Sequence, residues 1–342
     1  MLIRRLGCGF FMVYFSVSMT ACVTGSGSTS ATDPAAKPPV ISEKMPAMEA
    51  AQAGVQFGGE TLQEVKRLAK VHHQSQAIGQ AAAKILKKES GSLGDRELLN
   101  AGNLFASMPV PFDTDLFYGL VNSTRPLARQ LGWQLAASKP SVGIATAIDR
   151  QLTQALAENE TEIVLIPTMA NAVTTNRLKS AYTFVRQGLL TKGDEEFAQA
   201  MMALSPERAS EDFMDYLSQA SADELRQLTL SSVNLYTSVA ILKHFQKYPP
   251  NMANAHFDHL FLYAVSRNTG LAELSQTVIE SYVPSHTDIL AMALAKHPAW
   301  VQIAYLENAR RRMNPKEGLL LTELKKVTSE RDVVEEIDEA KF

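Results

Sequence analysis

From about position 60 onward, apolar residues recur three and four apart, the spacing that gathers them on one face of an α-helix. Val65, Leu68, Val71, Ile78, Ala82 and Ile85 form the first such stripe. It opens on Thr61-Leu62-Gln63-Glu64, which has the form of a capping box with Thr61 as N-cap, so a long helix is predicted from there to about Lys88. Gly91 and Gly94 end it. A second helix is predicted over 95–107, and Met108-Pro109-Val110-Pro111 breaks the chain, since proline removes a backbone donor. Short amphipathic helices are predicted over 113–122, 125–137, 142–158, 162–174, 176–190 and 194–204. Ile163-Val164-Leu165-Ile166 also fits a buried strand, because four apolar residues in a row suit both readings. Helix is preferred because its neighbours are helical.

Downstream the start signals are plainer. Ser205-Pro206-Glu207 places an N-cap before a proline at the first helical position. Ser221-Ala222-Asp223-Glu224 and Asn314-Pro315-Lys316-Glu317 both read as capping boxes. Tyr248-Pro249-Pro250 stops the stripe of Leu225, Leu228, Leu235, Val239 and Leu242. Helices resume over 252–267, 271–281, 287–296 and 298–313, and a last packed helix is predicted over 316–327. The fold class is therefore all-α, with a dozen or more helices joined by short turns. Helix pairs return every 30–45 residues, within the range of helical-repeat arrays, though without a repeated consensus. The architecture weakly resembles HEAT and tetratricopeptide arrays. Two arrangements stay open: an α-solenoid-like array, slightly favoured because the helices are short and alike, and an irregular helical bundle.

The first sixty positions break this pattern. Arg4 and Arg5 precede an apolar run from Leu6 to Met19, shorter than the about 20 residues a membrane-crossing helix needs. A charged start, a brief apolar core and small residues at its end mark an export signal. Its ending, Met19-Thr20-Ala21-Cys22, resembles a bacterial lipobox, with Met19 where that family usually carries Leu or Val. The resemblance implies a signal peptide over 1–21, cleavage before Cys22, a diacylglycerol on its sulfur and a third acyl chain on the new amino group. Several acyl chains together make a stable anchor. The residue after Cys22 is Val23 rather than aspartate, which in that family implies the outer membrane, facing the periplasm. An ordinary secretory signal and an uncleaved membrane helix are the competing readings. Residues 22–59, rich in Gly, Ser and Pro, are expected to be a flexible tether, with a short helix possible around 47–53. The all-helical domain is expected over 60–327 and an acidic tail over 328–342.

Charge and cysteine content narrow the function classes. The formal net charge is −3, without the basic face that phosphate neutralisation requires, so no nucleic-acid partner is expected. Cys8 and Cys22 are the only cysteines, so a body cut at Cys22 has no internal disulfide. No Ser-x-x-Lys, Gly-x-Ser-x-Gly, phosphate-loop or dinucleotide motif is present. The metal candidates are His256 and His259, three apart on one helix face, with His286 or Asp288 as a third ligand. A polar helix face is the stronger reading of these histidines, so no metal and no cofactor are expected. Arg310-Arg311-Arg312 is the one basic cluster, with Lys325 and Lys326 nearby. It offers contact to an acidic partner or lipid headgroup, or it is a charged helix end on which the acidic tail can fold back. The leading functional expectation is a lipid-anchored periplasmic adaptor, joined to the membrane and to another envelope protein. An envelope enzyme acting on peptidoglycan or lipid, and a carrier of a small apolar ligand, are the alternatives.

Overall fold

The computed structural model describes residues 37–158, 164–220, 225, 232–251, 254–312 and 316–339. Residues 1–21, Cys22 and the first part of the expected tether, to residue 36, lie outside them, as do Ser221 and Asn314, the expected starts of two helices. From Val40 onward the chain forms one unit. The described residues contain seventeen α-helices and no strand. In chain order these are α1 (Ala47–Phe57), α2 (Gly59–Val71), α3 (Ser75–Glu89), α4 (Asp95–Ala106), α5 (Thr114–Val121), α6 (Pro126–Ser138), α7 (Val142–Ala157), α8 (Pro167–Thr175), α9 (Tyr182–Lys192), α10 (Glu195–Leu204), α11 (Pro206–Leu217), α12 (Ser232–Phe245), α13 (Asn254–Ala264), α14 (Thr269–Ala295), α15 (Ala299–Arg312), α16 (Glu317–Val327) and α17 (Arg331–Glu339). A 3-10 turn over Lys179–Ala181 leads into α9.

These helices stack in two rows. α4, α6, α8, α10, α12, α14 and α16 each pack on the next. The second row runs α3, α5, α7 and the 3-10 turn, then α9 to α11, and α13, α15 and α17 at the end. Substantial contacts join only helices close in the chain, the nearest-neighbour pattern of a helical array. One hydrophobic core nevertheless runs through it from Ala50 to Val333. Four side-chain bonds tie successive pairs together. Asn100 Nδ2 donates to Val55 O at 2.9 Å, Asn176 Nδ2 to Ala136 O at 3.0 Å, Thr237 Oγ1 to Gly193 O at 2.6 Å and Asn308 Nδ2 to Ala264 O at 3.0 Å. Each acceptor is at or just past a helix C-terminus, where the last carbonyls have no partner within the helix. Each donor lies about 40–45 residues later in the chain. The same span between donor and acceptor thus recurs in four ties, although no repeated consensus is present.

The helix boundaries depart from expectation in three places. The expected tether is shorter than 22–59, because α1 buries Ala50, Ala51 and Val55 in the core. Gly58 and Gly59 both have positive φ, which suits glycine, and the turn they make starts α2 two residues before Thr61. Thr61 is therefore inside the helix, and Glu64 bonds Arg67 instead of closing a capping box. The single helix expected to Lys88 breaks at His72–His73. Gln74 N–H and Ser75 Oγ both donate to Ala69 O, and His73 adopts φ 54° to complete the reversal. The helices expected over 271–281 and 287–296 are both present within α14, separated by a kink at His286, whose backbone is non-helical (φ −138°, ψ 29°), two residues after Pro284. Ile163 lies outside the described residues, while Ile166 is the extended N-cap of α8 and Pro167 its first residue.

Candidate functional site

Of the predicted metal ligands, the described histidines His259 and His286 do not gather. The His256 side chain lies outside the described residues. His286 packs its ring 5.7 Å from Tyr282 and 6.1 Å from Phe257, and its Nδ1 is 2.7 Å from Ser285 Oγ. Phe257 and His259 are two positions apart on α13, hence on opposite sides of it. His259 instead lies near Asp258 and His297, where burial pushes the His297 imidazole below its usual range and Asp258 offsets part of that. Among the described residues no three His, Cys, Asp or Glu side chains form a metal-sized group. His244 donates from Nε2 to Pro206 O at 3.0 Å, which binds α12 to the start of α11, and burial lowers its pKa.

The three arginines at the end of α15 do not form an open basic patch. Arg310 pairs with Glu336 on α17, and Lys325 with Asp338, so the acidic tail folds back as a helix whose Val333 is fully buried. Arg311 bonds Asn308 on its own helix and is exposed. Arg312 turns inward, with Nη2 2.9 Å from Glu280 Oε1 on α14. Two of the three guanidinium groups are thereby committed to intramolecular carboxylates.

A cleft of about 610 Å³ lies between α1 and α3, lined by Met48, Gln52, Lys84 and Ile85 among others, and two further clefts flank α7. Ser141 Oγ accepts from Ile144 N–H at 3.2 Å and caps this helix. Its inward stripe is Ile144, Ala147, Ile148, Gln151, Leu152 and Ala155, one polar residue among five apolar ones. On one flank a cleft of about 390 Å³ opens toward the 3-10 turn and α9. Leu152, Leu156 and Phe184 give it an apolar lining, and Ser180 Oγ donates to Asp149 Oδ1 at 2.7 Å across it. Leu156 is 60 % exposed and Val142, at the other end of α7, is 86 % exposed. On the opposite flank a cleft of about 460 Å³ is polar, lined by Asn122, Arg129, Gln151, Gln154 and Glu158 among others. Arg129 Nη1 donates to Ser123 O at 2.9 Å and Thr124 O at 3.2 Å, which holds the loop at that rim. Gln151 is 8 % exposed; its Nε2 donates to Asn122 Oδ1 at 2.9 Å and its Oε1 is buried without a partner. A buried amide oxygen without a donor is costly, so this position favours an incoming N–H.

Sequence reasoning passed over α7. A signal was there: Gln151 interrupts the apolar stripe at a core-facing position, and Leu156 lies outside that stripe. Among the described residues no helix is long and apolar enough to cross a membrane. No family model matches the chain, and no characterised protein or solved structure is significantly similar to it.

Proposed function

We propose that the protein is a lipid-anchored adaptor of the bacterial outer membrane, facing the periplasm, that holds a segment of another envelope protein across α7. The lipobox-like Met19-Thr20-Ala21-Cys22 supports the anchor, and the two-row helical array supports a role in protein–protein contact. The single observation behind the docking place is the pairing of clefts on either side of one helix. The apolar cleft beside Leu152, Leu156 and Phe184 takes hydrophobic side chains. The polar cleft beside Gln151 takes backbone N–H groups of the same segment. A tether raises the effective concentration of such a site for partners at the same membrane.

The test places a photo-crosslinking residue at Leu156 or Gln154, and at Gln63 on α2 as control, in the full-length protein in cells. One recurrent envelope protein is expected from α7 and not from the control. A peptide made from the crosslinked segment should bind the purified body, and Leu156→Asp combined with Gln151→Leu should weaken that binding at least tenfold while helical content is kept. Cys22→Ser should reduce capture without altering peptide binding. Equal capture from both helices, or a peptide indifferent to the α7 substitutions, rejects the α7 site. An unmodified amino terminus at a residue other than Cys22, read by mass spectrometry, rejects the anchor.

A further inference from the structure

The last third of the array contains a polar cluster that the adaptor role does not use. Glu317 opens α16 and is fully buried, as is Tyr305 on α15, and Glu280 on α14 is 8 % exposed. Tyr305 donates its hydroxyl toward Glu317 Oε1 at 3.5 Å. Arg312 reaches in from the end of α15. Its Nη2 is 2.9 Å from Glu280 Oε1 and 3.1 Å from Thr277 Oγ1, and its Nη1 donates to Glu273 O at 2.9 Å. Gln276 is 2 % exposed, with Oε1 3.4 Å from Arg312 Nη1 and Nε2 unpartnered. Glu317 Oε2 is also buried without a partner.

Charge counting decides what this cluster needs. It holds two carboxyl groups and one guanidinium, all largely withdrawn from water. With both carboxyls ionised the cluster carries an uncompensated negative charge in the core, which is strongly unfavourable. With one proton on the pair it is neutral. Groups facing Glu317 are Glu280 from α14 and Tyr305 and Arg312 from α15. On α17, Glu336 is engaged with Arg310, Asp338 with Lys325 and Glu335 with Arg331. The N-terminus of α16 favours an anion at Glu317, but burial and the neighbouring Glu280 outweigh it and raise the Glu317 pKa to about 7.

We propose that Glu280, Glu317 and Arg312 form a pH-sensitive latch on the terminal helices, closed while the carboxyl pair holds one proton and loosened when that proton leaves to solvent. α16 covers the end of the inner row through Leu320, Leu321 and Leu324, so loosening uncovers the apolar face of α14 beneath it. The sign follows from linkage. A carboxyl whose pKa is higher in the closed state favours closure below its ordinary range near 4.5, and that advantage is lost as pH rises to about 7.

Hydrogen exchange on the full chain tests this, with rates corrected for the intrinsic effect of pH. Protection over 317–327 should fall between about pH 5 and about pH 7, by up to about tenfold per pH unit, and then level out. Amides of α4 and α6 should show no such fall. In Glu317→Gln the amide cannot ionise, so protection should be flat from pH 5 to pH 8. Glu280→Gln leaves Glu317 as sole carboxyl partner of Arg312, and the fall should vanish there too. This second variant carries the test if the first does not fold. Protection of α16 that is independent of pH in the unsubstituted protein, or a fall that persists in both variants, overturns the latch.

Discussion

The two halves of the array are held together by different physics. Up to α10 the core is almost purely apolar. Phe105, Phe112, Phe117 and Trp133 meet edge to face at 5.4–6.2 Å, and Gln151 is the only polar residue buried among those described. From α11 onward Ser210, Thr237, Ser238, Ser266, Ser275, Gln276, Glu280, Gln302 and Glu317 are all buried. Apolar burial is strong but undirected, so the first half is stabilised by area and shape. Buried polar groups contribute little net energy when matched and cost much when not. The second half therefore gains specificity of register at the expense of sensitivity to its surroundings. Between the halves, Asp212 shows a polar network that is balanced without a proton. It accepts from Tyr182 Oη at 2.9 Å and from Arg186 Nε at 2.9 Å, while Asp215 takes the second Arg186 nitrogen and Arg208 covers the Tyr182 ring at 4.2 Å. Two arginines face two aspartates there; one arginine faces two glutamates in the latch.

Four substitutions sharpen this contrast. The largest effect is expected from Trp133→Ala in the apolar half, about 3–5 kcal/mol of lost stability by denaturant unfolding, the same at pH 5 and pH 8. A loss under about 1 kcal/mol would mean the aromatic cluster does not hold that half. Next is Gln302→Leu in the polar half. Gln302 donates to His297 O at 2.7 Å and accepts from Thr328 Oγ1 at 2.9 Å, so an apolar isostere strands both partners. About 1–3 kcal/mol is expected despite the gain in apolar surface; a neutral or stabilising result would show that this half tolerates a dry core. The smallest is loss of a tie between pairs. Asn100→Ala and Asn308→Ala should each cost about 0.5–1.5 kcal/mol, and hydrogen exchange should place the change at α1 and at α13 respectively. Equal loosening throughout the chain would show that the array unfolds as one body.

Helices were legible in the sequence because their pattern is local. Val65, Leu68, Ile78, Ala82 and Ile85 show it whatever the rest of the chain does. Breaks were less legible, since the reversal at His72–His73 depends on two donors converging on Ala69 O, which periodicity does not encode. By contrast, the break expected between 271–281 and 287–296 is present at His286, two residues after Pro284. The candidate docking place was invisible for another reason. A cleft is the space left between pairs, and its walls at Asn122, Gln151 and Phe184 are far apart in the chain. His259 and His286 drew attention by type, and their placement on different contacts was not encoded in the spacing.

The ties from Asn100, Asn176, Thr237 and Asn308 also set how the molecule answers a mechanical load. Each crosses from one helix pair to the preceding one and is loaded when those pairs are pulled apart. In a nearest-neighbour stack such a load is borne one interface at a time. Drawn from its amino-terminal end, the body lengthens in steps as each tie breaks, each step releasing about 40–45 residues, or about 140 Å of extended chain. A force-extension trace is expected to show these steps singly, and one cooperative rupture would show instead that the shared core bears the load.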